Sequence, residues 1–172
     1  MKKTILALTL IATSAIAAPS PVRAGDIYVM GGGMIELSTS SPELDSVGTD
    51  VFMGYRFNPY FALEVGYKKL KTETWAFKYE QSHTYIAPTG MFPLNKQWDL
   101  FGRVGIGSKK DSVTLFDGYT CGWLIPCNSE GTSSQLSLGT GIQYTSSFGL
   151  TARFSTEIAE GVGFAAYLGY TF

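Results

Sequence analysis

The chain has 172 residues, 45% hydrophobic and 16% charged, with 13 basic and 14 acidic side chains and a formal net charge of −1. That balance offers no basic surface to a nucleic-acid partner, and a single histidine with two cysteines falls short of the about four ligands of a structural metal site, so neither nucleic acid, metal nor cofactor is expected. No stretch approaches the roughly 20 consecutive apolar residues of a spanning helix, so any membrane crossing must be made by strands.

At the amino terminus Lys2 and Lys3 precede an apolar run from Ile5 to Ala18 that is broken by Thr and Ser. Val22-Arg23-Ala24 then offers a small-residue cleavage site. Residues 1–24 are expected to be a secretory signal and residues 25–172 a single barrel domain. Removing the signal takes Lys2, Lys3 and Arg23 but no acid, leaving an acidic chain of roughly 150 residues. That is near the minimum for eight spanning strands of about 9–11 residues.

The first strand is expected over Ile27 to Leu37, where both faces are apolar or glycine and the facing stays unassigned. Gly31-Gly32-Gly33 lacks the Lys-Ser/Thr and the helix of a phosphate loop, and fits close packing in a curved strand. In the second strand Val51, Met53, Tyr55 and Phe57 alternate with Asp50, Phe52, Gly54 and Arg56. After the turn Asn58-Pro59 the third strand sets Phe61, Leu63, Val65 and Tyr67 against Ala62, Glu64, Gly66 and Lys68. The fourth, His83 to Phe92, is interrupted by Pro88 and Gly90, with Ile86 and Phe92 placed outward.

The fifth, sixth and seventh strands repeat the pattern with Leu100 to Ile106, Leu136 to Tyr144 and Leu150 to Ile158, whose opposite faces carry Arg103, Gln143, Arg153 and Glu157. The eighth runs from Val162 to an aromatic carboxyl end at Leu168, Tyr170 and Phe172, read as a barrel-closing signal for the barrel-assembly machinery. The fold class is therefore all-β: an eight-stranded antiparallel transmembrane β-barrel with up-and-down topology. Because roughly 30 large apolar side chains cannot fit a bore that holds about three layers of four, the apolar face must meet lipid. The glycine-rich face, with Asp50, Arg56, Glu64, Lys68, Arg103, Gln143, Arg153 and Glu157, then lines a narrow polar interior. Tyr55, Phe57, Tyr67, Phe92, Tyr144, Tyr170 and Phe172 form interfacial girdles.

Connections alternate between short, at Asn58-Pro59, Pro93 to Gln97 and Thr145 to Ser147, and long, at Ser38 to Ser46, Lys69 to Gln81 and Ser108 to Thr132. Short periplasmic turns and long external loops are the rule for such barrels. Polar and apolar faces exchange character beyond Ile106 and before Ser82, which predicts strands protruding above the membrane. Trp75, Phe77, Phe116, Tyr119 and Trp123 are candidate external contacts, Trp75 and Phe77 doubling as a lid. Cys121 and Cys127 are expected to form a loop disulfide after export, whose reduction should loosen only the third loop.

The segment Gly54-Tyr55-Arg56-Phe57-Asn58-Pro59-Tyr60-Phe61-Ala62-Leu63-Glu64-Val65-Gly66-Tyr67 resembles the second hairpin of the OmpA-like transmembrane barrel family. Asp99 to Gly105, Gly141 to Tyr144 and Thr151 to Phe154 extend that resemblance over most of residues 25–172, without the family's peptidoglycan-binding domain. The resemblance implies an interior ion-pair lattice, with Glu64 and Arg153 on matching positions and Thr89 and Gln143 where the family carries Lys and Glu.

Chemistry needs a nucleophile beside the only histidine. His83 is followed by Thr84 and Tyr85, whereas the lipid A deacylase family places a serine two residues after its histidine, and Asp45-Ser46 and Asp111-Ser112 are weak pairs. The expectation is a non-enzymatic, monomeric barrel of a Gram-negative outer membrane. It would contact lipid and lipopolysaccharide and anchor external loops for adhesion, for an external macromolecule or host surface, or for envelope integrity. A narrow solute pore is the alternative, and a lipid A-modifying enzyme stands behind both.

Overall fold

The computed structural model describes residues 24–37, 46–73, 77–115, 128–159 and 161–172. Strands β1 (Ile27–Leu37), β2 (Ser46–Asn58), β3 (Phe61–Glu73), β4 (Phe77–Pro93), β5 (Trp98–Leu115), β6 (Asn128–Thr145), β7 (Leu150–Ile158) and β8 (Val162–Thr171) follow one another as an antiparallel meander. Pairing of β1 with β8 closes the barrel, which leaves no sheet edge within the hydrocarbon. The Phe172 amide completes the seam by donating to the Ile27 carbonyl at 2.8 Å.

Turn chemistry fixes one end. Asn58 Oδ1 accepts the Tyr60 amide at 2.8 Å, Asn95 Oδ1 accepts those of Gln97 and Trp98, and Gly149 supplies the positive φ of the β6–β7 turn. These are the short turns, so this end faces the periplasm. Tyr55, Phe57, Phe61, Phe92, Trp98, Tyr144, Tyr170 and Phe172 ring it, several ring to ring, with Tyr55 and Phe57 at 4.8 Å and Trp98 and Tyr144 at 5.0 Å. Tyr67 stands apart from them, well up β3.

Alternation resolves the facing of β1: Tyr28, Met30 and Met34 point inward, and Ile27, Val29, Ile35 and Leu37 outward. The interior is less polar than a glycine-rich face suggests. Phe52, Leu70, Tyr85, Met91, Phe101 and Tyr167 are buried there with the charges, because inward glycines leave room for large rings from neighbouring strands.

The wall is uneven. β7 and β8 have 9 and 10 residues, enough to cross the bilayer, while β4, β5 and β6 have 17, 18 and 18. The surplus carries β4–β6 roughly 25 Å further along the strand direction. Much of what reads as long connection is therefore strand: β3 continues to Glu73, β4 starts at Phe77, and β5 and β6 pair from Ser108↔Ser134 up to Thr114↔Asn128. The loss of outward apolar residues marks the exit from lipid, whereas backbone pairing continues in water. Cys121, Cys127, Trp75, Phe116, Tyr119 and Trp123 lie outside the described residues, as does residues 1–23 of the expected signal; Phe77 is described only as part of β4.

Candidate functional site

Two features could carry function: the contents of the bore and the raised sheet. In the bore, Asp50, Arg56, Glu64, Lys68, Arg103, Gln143, Arg153 and Glu157 are all buried. Near the periplasmic mouth Arg56 makes two 3.0 Å bonds to the Asp99 carboxylate and a third, at 2.7 Å, to the Pro59 carbonyl. Sequence reasoning assigned no role to Asp99, which sits beside outward Trp98 and Leu100 at the very start of β5.

The remaining charges form one network. Arg153 donates to Glu64 at 2.7 Å and, through Nε and Nη2, to Gln143 Oε1 at 3.0 and 2.6 Å. Arg103 bridges Glu64, at 3.2 Å, to Glu157, which also accepts Lys68 Nζ at 2.5 Å. Asp50 accepts the hydroxyls of Tyr85 and Tyr167 and lies 3.8 Å from Arg103. Three acids face three bases, so the plug is neutral. Neutrality matters because an unpaired charge here would carry a desolvation cost of several kcal/mol.

Three inward tyrosines weld this network to the wall, and each lies directly across the ladder from a glycine: Tyr28↔Gly54, Tyr85↔Gly66 and Tyr167↔Gly32. A Cβ at Gly54 would stand 2.1 Å from Tyr28 Cζ, and one at Gly66 2.5 Å from Tyr85 Cζ. The rings lie over bare backbone, which frees their hydroxyls to reach carboxylates, as Tyr28 does to Glu64 at 2.6 Å. Arg153 is stacked besides, its guanidinium carbon 4.3 Å from the Phe101 centroid and 4.8 Å from that of Phe52. The signal for these tyrosines was the inward glycine on the partner strand, which is readable only once the register is known.

Thr89, buried in the position aligned with a family lysine, bonds only the Ala87 carbonyl, at 3.3 Å, so it adds no charge to the plug. Above the plug, His83 is also buried inward, its Nε2 without a hydrogen-bond partner. Lys109, Tyr79 and Gln81 converge on Asp111 nearby. Among the described residues no group of three or more His, Cys, Asp or Glu is placed to hold a metal ion.

Outside the membrane, β6 pairs with β7 only from Leu138↔Ile158 to Thr145↔Thr151. Its upper part, Asn128 to Ser137, pairs with β5 alone, and no strand lies along its other edge, among the described residues.

A family model described as an outer membrane protein beta-barrel domain matches residues 4–171. No curated protein matches the chain in sequence. Among solved structures it is similar in fold to Ail, the attachment invasion locus protein of Yersinia pestis, in complex with the heparin analogue sucrose octasulfate. That likeness has 15% identity, a TM-score of 0.60, and spans 87% of this chain and 99% of that one. The N-terminal β-barrel domain of Pseudomonas aeruginosa OprF follows at 14% identity and TM-score 0.58, covering 87% and 98%, and Neisserial surface protein A at 15% and 0.56, covering 85% and 93%. With an apolar outer wall, a barrel closed without an edge and a family match over nearly its whole length, the chain belongs to the outer membrane protein β-barrel family and resides in the outer membrane.

Proposed function

We propose that the protein is a non-conducting, non-catalytic anchor that holds a raised β-sheet above the outer membrane for contact with a macromolecule outside the cell. The observation that carries this reading is the edge of β6 from Asn128 to Ser137, which no strand pairs among the described residues. An unpaired row of amides and carbonyls is a template for strand addition, which natural proteins usually blunt with lysine, proline or a bulge. Here the edge is Ser- and Thr-rich and contains neither lysine nor proline. Ail, an attachment protein by name, supports the direction of this reading through its fold.

The plugged bore supports the anchor over a solute pore. His83 supports it over an enzyme, since it points into the lumen and its Nε2 meets no hydroxyl. The test is adhesion to cultured epithelial cells by a non-adherent bacterium displaying the protein. Two paired variants would be compared, Thr132→Pro with Ser134→Pro, and Ser133→Pro with Gln135→Pro. Backbone groups alternate sides along a strand, so one pair removes donors from the open edge and leaves the β5 ladder intact. That pair should fold and abolish adhesion; wild-type adhesion from it would sink the proposal.

A further inference from the structure

On the outer surface of β3–β6 the register lines up successive rows of side chains. Val65, Ile86, Ile106 and Leu136 make an apolar row, Tyr67, Thr84, Ser108 and Ser134 a hydroxyl row, and Lys69, Ser82, Lys110 and Thr132 a basic one. Lys71, Glu80, Ser112 and Glu130 follow immediately above. The order is that of a lipid molecule read from chain to headgroup. Two adjoining hollows follow it. A groove of about 680 Å³ is lined by Val51, Met53, Val65, Ile86 and Ile106, and an open hollow of about 300 Å³ by Lys69, Glu80, Ser82, Lys110, Asp111 and Thr132. Tyr67 borders both.

Charge decides the occupant. Glu80 faces two lysines, Lys69 at 3.1 Å and Lys71 at 3.8 Å, and Lys110 has no ion-pair partner among the described residues. Lys69, Lys71 and Lys110 against Glu80 and Glu130 leave these rows net positive by one just above the apolar band. Lys69 and Lys110 are two strands apart, about 10 Å at the backbone, so both ammonium groups can close on one phosphate between them. On the opposite wall, among the described residues, Ile158, Ile35 and Leu37 keep the outward face apolar to the strand ends.

We propose that this cleft is a binding site for a phosphorylated lipid of the outer leaflet, its acyl chain in the groove and its phosphate between Lys69 and Lys110. The site rests on the membrane placement of the barrel, and it stands or falls independently of the adhesive edge of β6.

The test uses the refolded protein in phosphatidylcholine nanodiscs, with bisphosphorylated lipid A or chemically dephosphorylated lipid A added and binding read by native mass spectrometry. Wild type should bind the phosphorylated lipid at least tenfold more tightly than the dephosphorylated one. Lys69→Gln with Lys110→Gln should erase that preference, and Lys96→Gln, in a periplasmic turn, should keep it. Unchanged heat-dependent gel mobility would show that the exposed substitutions leave the barrel folded. Equal affinity of wild type for both lipids, or a double variant that keeps the preference, would overturn the proposal. So would binding of a heparin oligosaccharide that depends on Lys69 and Lys110 without any preference among lipids, which would make the face a glycan site.

Discussion

Glu64 on β3 and Arg153 on β7 stand four strands apart in a ring of eight, on opposite walls of the barrel, and their side chains meet at 2.7 Å. A bond across the diameter braces the bore. Arg103 adds a second arm to the same carboxylate, and Tyr28 a third. Wild-type protein refolded into a planar bilayer should therefore insert without discrete conductance steps. Glu64→Ala combined with Arg103→Ala removes the central strut and should produce steps. Steps from wild type would restore the pore reading.

The same strut sets stability. Arg153→Met leaves Glu64 buried with fewer donors, and breaking a buried pair from one side costs about 3–5 kcal/mol. Glu64→Gln with Arg153→Met removes both charges and should cost clearly less than the sum of the two single changes. Urea unfolding in lipid vesicles, followed by gel mobility, measures all three. Additive losses would mean that the two residues act separately.

Tyr28 and Gly54 make a second coupled pair. A methyl at residue 54 would stand 2.1 Å from Tyr28 Cζ, and the ring cannot swing away without breaking its bond to Glu64. Gly54→Ala should destabilise by about 1–3 kcal/mol, as overpacking does. In a Tyr28→Ala background the added methyl has space, and the same change should cost almost nothing. Equal penalties in both backgrounds would detach Tyr28 from the effect.

How far the sequence could be read follows from what alternation reports. Outward strand positions such as Met53, Val65, Ile86, Phe154 and Leu168 were legible because lipid demands an apolar side chain at each. The ionic interior was legible because Glu64, Arg103 and Arg153 sit on the opposite parity. Alternation failed at β1, where Tyr28 and Met30 inside are as apolar as Ile27 and Val29 outside, and only pairing with Gly54 and Glu64 separates them. Above Ile106 the exchange of polar and apolar faces made the protruding strands legible, but not how far they run, since a strand in water needs no apolar face to mark its end. Asp99 escaped because its partner Arg56 is 43 residues away and three strands round the barrel, a proximity that the pattern alone does not give.

The height of the wall predicts an exchange boundary inside a single strand. From Leu138 to Tyr144 the β6 residues are laddered on both sides, by β5 and β7; above Leu138, among the described residues, only by β5. Amide exchange in nanodiscs should show continuous protection from Leu138 to Thr145 and, from Asn128 to Ser137, alternate residues that exchange fast. Protection of every amide in the upper segment would place another strand against that edge.

Phe172 separates assembly from stability. Its ring is 73% exposed, so trimming it opens no cavity, while the amide bond to Ile27 that closes the seam belongs to the backbone and survives substitution. Phe172→Ala should leave the urea midpoint of refolded protein within about 0.5 kcal/mol of wild type, as for a surface change. Together with Leu168 and Tyr170 the ring forms an outward-facing stripe at the close of β8 that we propose the barrel-assembly machinery recognises. In cells the same substitution should then lower the amount of folded protein in the outer membrane several-fold, while total synthesis is unchanged. Normal levels of Phe172→Ala in the membrane would remove the terminal residue from that recognition, and a parallel fall in the urea midpoint would assign the loss to the barrel itself.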